Sequence, residues 1–250
     1  MADDLDRWLR CFHTRPAARV RLVCFPHASG NALFYRDWGA LLPGGVETWA
    51  VQYPGRLDRL SEPCVTDMAE LADRVTEALL PFTRTGGVAL FGHSMGAAVA
   101  YEVTRRLEHR LGIAVRHLFV SAHPSPALHR IGNLHLDSDD ALWDELRRQD
   151  ATSAETLAHP QLRALIMPAL RSDYRLIETW QPALAPPLSC PVTALGGRDD
   201  PDVAPAELTD WARFTTGPYR RLVRPGGHFY LVEDLDAVVA ALGHGLGDNC

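Results

Sequence analysis

The stretch ALFGHSMGAAVAYEV, Ala89 to Val103, runs apolar up to Gly92, passes through His93-Ser94-Met95-Gly96 and turns apolar again at Ala97. Glycines two residues either side of a serine, between a strand-like and a helix-like segment, suit a serine held on a tight corner. A strand turning abruptly into a helix forces the corner residue into a sparsely allowed conformation that costs roughly 1–3 kcal/mol. Gly92 and Gly96 leave no Cβ where strand and helix crowd together. The corner lifts the Ser94 hydroxyl clear of the backbone and aims N–H groups at the helix N-terminus towards whatever sits above it. A serine that only caps a helix in an ordinary turn does not need both flanking glycines. Ser94 is therefore read as a nucleophile.

Working outward, short β-rich runs alternate with longer helical patterns. Strands are expected over Arg19–Phe25, Thr48–Tyr53, Gly87–Phe91, His117–Ser121, Val192–Leu195 and Tyr219–Val223. They are continuous apolar runs more than alternating ones, as expected for strands covered on both faces. Helices are expected over Met68–Pro81, Ala97–Leu111, Pro205–Phe214 and Leu235–Leu246. The alternation implies an α/β fold, a mostly parallel sheet with helices on both sides and reactive groups at the carboxyl ends of the strands. From about 125 to 187 the alternation breaks. Helical patterns over Asp139–Gln149, Pro160–Leu165 and Pro168–Trp180 follow one another with no strand between them. We expect residues 1–250 to form one domain with this segment as a helical lid over the strand ends. Its apolar residues Leu142, Leu146, Leu165, Ile166, Leu170, Leu176, Ile177 and Trp180 recur at helical spacing. Most of them suit core packing, with Ile166 and Leu170 expected as pocket walls.

The whole chain sets broad bounds. It has 250 residues, 46% hydrophobic and 22% charged, ordinary for a globular protein with a substantial core. A formal charge of −6 argues against nucleic acid as the main partner. All 25 basic residues are arginine, which excludes lysine Schiff-base chemistry. The five cysteines are scattered with no Cys-x-x-Cys pair, and Cys24 and Cys190 read as small buried hydrophobes. The acidic N-terminus lacks the apolar core of a signal peptide, and no apolar run is long enough to span a bilayer. A cytoplasmic home and no membrane partner are expected. No clustered Cys/His or His-Glu-x-x-His site suggests a metal.

A serine hydroxyl needs a base within hydrogen-bond reach, usually a histidine oriented by a carboxylate. On an open α/β sheet the chain order is Ser, then Asp or Glu, then His. VTALGGRDDPDV follows a strand and offers Asp199 and Asp200. Asp200 is favoured, because Pro201 after it stiffens the loop. RLVRPGGHFYLVED places His228 in a Gly-rich loop beyond the last strand, where the ring can be brought over a serine. Seven of the eleven histidines, His13, His109, His117, His129, His135, His159 and His244, read as surface or satisfied structural residues. An oxyanion hole needs one N–H after the nucleophile, from Met95, and one from an early strand–helix loop. LVCFPHASGNALFYRDW supplies that loop, with Ala28 as the donor and His27 in a structural role or touching substrate.

Together CFPHASG, YPGR, LFGHSMGA, the helical insertion, GGRDDPDV and GGHFYL resemble the type II thioesterases, stand-alone α/β-hydrolase enzymes that accompany polyketide synthases and nonribosomal peptide synthetases. The resemblance spans nearly the whole chain. It implies hydrolysis of acyl groups held as thioesters on the phosphopantetheine arm of an acyl or peptidyl carrier protein, which clears stalled or misprimed chains. It implies Ser94, His228 and Asp200 as the triad and no cofactor beyond the phosphopantetheine that the substrate carries. The family usually has a second glycine where this chain has Ser29, a departure that bears on the oxyanion loop. The same residues also suit a carboxylesterase or lipase acting on free esters, or an acyltransferase. A non-catalytic binding protein on this scaffold would not need all three.

Overall fold

All six expected strands form, and a seventh joins them. In the computed structural model, which describes residues 2–84, 86–149, 160–183 and 185–247, the strands are β1 (Leu9–Cys11), β2 (Val20–Phe25), β3 (Val46–Val51), β4 (Gly87–His93), β5 (His117–Ser121), β6 (Val192–Gly197) and β7 (Tyr219–Arg224). Their order across the sheet is β1-β3-β2-β4-β5-β6-β7, with β1 antiparallel to β3 and every other pair parallel. The helices are α1 (Ala2–Trp8), α2 (Trp38–Leu41), α3 (Met68–Thr83), α4 (Met95–Arg105), α5 (Asp139–Arg148), α6 (Pro160–Glu178), α7 (Tyr230–Glu233) and α8 (Leu235–Leu246). His159 and Cys250, both read in the sequence, lie outside the described residues.

The period-two alternation of the strands divides the core. Val23 and Phe25 join a cluster with Leu79 of α3 and Val99 of α4 on one face of the sheet. Leu22 and Cys24 join Trp38 of α2 and Leu242 of α8 on the other. Cys24 and Cys190 are both buried, as read from the sequence, and burial pushes both thiols up. From β2 the chain crosses to β3 on one side, then returns to β4 on the other. That reversal opens a crevice at the carboxyl ends of β2 and β4. Pairing of Phe25 with Gly92 brings the loop after β2 beside Ser94.

Four expected helices differ in form. Ala97–Leu111 divides into α4 and a π-turn over Arg106–Arg110, where the Leu111 N–H donates to the Arg106 carbonyl at 3.1 Å. Pro205–Phe214 narrows to 3-10 turns over Glu207–Phe214, whose threefold period aligns Leu208, Trp211 and Phe214 towards the core. Pro160–Leu165 and Pro168–Trp180 are one continuous helix, α6. An internal proline costs about 3 kcal/mol, and here Met167, Ala169 and Leu170, buried around Pro168, keep the helix going.

The inserted segment has a small core of its own. Ser138 caps α5 by accepting from the Ala141 N–H at 3.2 Å, and Leu142, Trp143 and Leu146 of α5 pack on Met167 and Leu170 of α6. Beyond that core, Leu176 and Trp180 join the main cluster, and the Trp180 indole N–H donates to Glu102 of α4 at 3.2 Å. Arg148 of α5 pairs with Asp202 after β6 at 2.6 Å.

Candidate active site

Ser94 sits between the end of β4 and the start of α4 with φ 54° and ψ −125°, outside the regions ordinary residues occupy. The flanking glycines are required by contact. A Cβ on Gly92 would lie 2.1 Å from the Gly96 carbonyl oxygen, and one on Gly96 would lie 2.1 Å from that of Phe25. The Ser94 N–H is anchored to the Ser121 carbonyl of β5 at 2.8 Å. Met95 opens α4, so its N–H belongs to the first turn, where the helix offers no carbonyl partner.

Asp200 and His228 come together in the space above β6 and β7. Gly197, at the end of β6, lets the His228 loop approach; a Cβ there would lie 2.1 Å from the Gly227 carbonyl oxygen. Gly226 takes φ +104°, a conformation that favours glycine. His228 Nδ1 lies 2.9 Å from Asp200 Oδ2. The other carboxylate oxygen, Oδ1, accepts from the N–H groups of Asp202 and Val203 at 2.9 and 3.2 Å. A carboxylate only accepts, so Nδ1 carries a proton, and in the neutral ring Nε2 then carries the lone pair. Nε2 is buried and has no hydrogen-bond partner. Ser94 is therefore not hydrogen-bonded to His228 in this structure. Asp199 is exposed and only its backbone joins the loop, donating to the Gly226 carbonyl at 3.0 Å.

His228 is buried among aromatic rings as well as the Asp200 carboxylate. His93 lies 5.2 Å away and Phe229 5.4 Å, centroid to centroid. Burial holds His27 and His123 down at about 3 and pushes His93 well below the ordinary value, with the neighbouring imidazoles adding to the effect. His27 packs edge-on against Phe34 and Phe229 at 4.9 and 4.8 Å, and stays neutral. Among the described residues, Asp200, Asp202 and His228 form a trio of possible metal ligands whose atoms lie within 4.8 Å of one another. The Asp200–His228 hydrogen bond and the Asp202–Arg148 ion pair already engage all three.

The loop after β2 turns at His27–Gly30, where the Gly30 N–H donates to the His27 carbonyl at 2.9 Å. Ala28 is half-buried within this turn. Ser29, where the resemblance called for glycine, adopts φ +63°. Two residues to which the sequence reading gave no role, Asp173 and Arg56 (the arginine of YPGR), hold the turn. Asp173 of α6 accepts from the Ser29 N–H at 2.8 Å and pairs with Arg56 through bonds of 2.7 and 2.8 Å. A signal for Asp173 exists, since it continues the helical stripe of α6 through half-buried Ile166 and buried Ala169 and Leu170.

A cavity of about 450 Å³ adjoins this turn, lined by His27, Ser29 and Phe34 on the body and by Leu146, Leu165 and Ile166 of the inserted helices. Ile166 lines this cavity, whose walls do not include Ser94, Met95 or His228. Leu170 does not line it, being fully buried in the inserted segment's own core.

A thioesterase-domain family model matches residues 20–246. The chain is 45% identical over 239 residues to the "Probable cadicidin biosynthesis thioesterase" of Streptomyces griseus, covering 94% of this chain and 65% of that one. It is 42% identical over 228 residues to thioesterase PikA5 of Streptomyces venezuelae, covering 91% and 81%. Among solved structures, the type II thioesterase BorB from the borrelidin biosynthetic cluster superposes with a TM-score of 0.88 at 42% identity, covering 96% of this chain and 97% of that one. No helix among the described residues is long and apolar enough to cross a membrane. Its sequence, its sheet and the corner at Ser94 agree: the chain belongs to the thioesterase family, as an α/β-hydrolase enzyme of the type II kind found in polyketide and nonribosomal peptide clusters.

Proposed function

We propose that the chain hydrolyses acyl groups from the phosphopantetheine thiol of acyl or peptidyl carrier proteins, clearing stalled or misprimed chains in a cytoplasmic assembly line, through an acyl-enzyme on Ser94. The observation that carries this reading is the state of His228. Its Nδ1 is committed to Asp200 and its buried Nε2 has no partner, although buried polar atoms are normally paired. A bare Nε2 is the acceptor a serine hydroxyl needs, and catalytic hydrogen bonds often tighten only when substrate binds.

The Ser94 oxygen attacks the thioester carbonyl carbon while Nε2 takes its proton. Asp200 holds the imidazolium that forms. The carbonyl oxygen becomes an oxyanion and accepts from the N–H groups of Met95 and Ala28. As the intermediate collapses the C–S bond breaks, and the pantetheine sulfur leaves with the proton from Nε2. A thiol pKa of about 8.5 makes this an easy departure. Water then attacks the ester, His228 takes its proton, and that proton returns to Ser94 as the free acid is released. No step calls for a metal or a cofactor. The cavity beneath α5 and α6 supplies apolar walls for the acyl chain.

Labelling with a fluorophosphonate, wild type against Ser94→Ala, tests the nucleophile. Intact mass on acyl-loaded carrier proteins, beside matching acyl-coenzyme A and oxygen esters, tests the substrate class. Equal labelling of both proteins would remove the nucleophile. Turnover of free esters with none of carrier-bound thioesters would move the chain to the carboxylesterases.

A further inference from the structure

We infer that Asp173 is a positioning residue, which from lid helix α6 holds the His27–Gly30 turn so that the Ala28 N–H can complete the oxyanion hole. The inference rests on the proposed mechanism and assigns a role to a buried ion pair that this mechanism leaves unused. Asp173 and Arg56 are both nearly fully buried, with side-chain exposures of 5% and 8%. A buried pair of this kind is weak evidence for stability, because desolvation offsets its attraction. What distinguishes this one is where its remaining hydrogen bonds go.

Asp173 Oδ2 accepts from the Ser29 N–H at 2.8 Å as well as from Arg56 Nη1 at 2.7 Å. The same Arg56 nitrogen donates to the Gly30 carbonyl at 2.9 Å. The pair therefore grips the Ala28–Ser29 peptide by its N–H and the Gly30–Asn31 peptide by its C=O. Within the turn, the Gly30 N–H is tied back to His27. The Ala28 N–H, the donor the mechanism needs, lies inside a frame fixed on its far side from another element. Ser29 makes that frame necessary. Its φ of +63° is one that non-glycine residues avoid, and such a conformation persists only where the surroundings over-determine it. Asp173 supplies the constraint from 144 residues away in sequence. Because Asp173 rides on α6, the turn is held only while that helix is seated.

The test is a cycle between positions 173 and 29, read as kcat and KM on an acyl thioester. Asp173→Asn is expected to lower kcat by about 100-fold, comparable to loss of one oxyanion donor, with KM changed less than about threefold. Glycine at 29 removes the backbone penalty that the carboxylate overcomes. In a Ser29→Gly background the same Asp173→Asn change is expected to cost at least about fivefold less in kcat. An equal kcat loss in both backgrounds, or a loss confined to KM or to thermal stability, would overturn the inference and leave Asp173 as a lid fastening. If Asp173→Asn does not fold, Arg56→Met paired with Asp173→Leu leaves no buried charge behind and carries the same expectation in the two backgrounds. Retained kcat there would likewise overturn it. Fluorophosphonate labelling of wild-type Ser94 tests the mechanism separately. Its absence removes the nucleophile, whereas normal labelling with an unaltered kcat in Asp173→Asn removes only the role given to Asp173.

Discussion

Gly96 and Phe25 touch so closely that no side chain fits between them: a Cβ on Gly96 would stand 2.1 Å from the Phe25 carbonyl oxygen. The contact joins the first turn of α4 to the end of β2, the two pieces that flank the proposed oxyanion site. Gly96→Ala must push the helix start away from the strand. We expect a loss of at least about 2 kcal/mol, as for overpacking of a rigid core, together with slower labelling of Ser94. Gly44→Ala, where a Cβ meets nothing within 4 Å, should stay within about 0.5 kcal/mol. Urea denaturation of both variants, with labelling rates in parallel, measures the difference. Equal behaviour would mean the corner is not built on that contact.

The two adjacent aspartates should separate sharply. Asp200 is buried and bonded to His228, while the Asp199 side chain faces solvent. Asp200→Asn is expected to cut kcat by about 10⁴-fold, since the imidazole loses the charge that fixes its tautomer. Asp199→Asn should change it less than about threefold. Steady-state kinetics on one acyl thioester decides, and the opposite ranking would reassign the orienting residue.

The cavity walls and the core of the inserted segment should respond differently to truncation. Ile166→Ala enlarges the cavity and is expected to move the preferred acyl length upward at little cost in stability. Leu170→Ala removes a fully buried side chain from the contact of α5 with α6 and should cost about 2–5 kcal/mol. A series of acyl thioesters of increasing length, with thermal melts, checks both. An unchanged length profile in Ile166→Ala would place the acyl chain elsewhere.

Acid should unfold the protein early. Burial holds His27 and His123 at about 3 and His117 at about 4, and His93 well below its ordinary value. The unfolded chain binds protons on these rings near pH 6.5, while the folded chain binds them only at far lower pH. Their contribution is thus complete above about pH 6.5 and is lost as pH falls from there, by about 1.4 kcal/mol per ring per pH unit. Urea midpoints at pH 7.5 and 5.5 test the sign. A midpoint that holds or rises at 5.5 would contradict neutral burial of these rings.

Much of this was legible because the relevant signals are local. The glycines around Ser94 mark a corner, apolar runs mark strands that are largely covered (except edge strand β7, whose residues are half-buried or exposed), and Pro201 marks the loop that carries Asp200. What escaped depends on distant partners. Leu9–Cys11 is too short to stand out as a strand, and forms because β3 presents an open edge to it. Pro168 reads as a helix break until the packing of Met167 and Leu170 is known. Arg56 and Asp173 meet across 117 residues, a separation that no spacing rule reaches.

The helical segment is inserted between β5 and β6, yet Asp173 reaches the loops after β2 and β3, and Arg148 reaches the loop after β6. Exchanging this segment with that of a relative is therefore grafting with fixed suture points. A transplant that keeps both charges in place can bring new cavity walls to an unchanged reaction centre. One that omits them would deliver its walls to loops that have lost their moorings, and the chimera would fail at catalysis before its selectivity could be read.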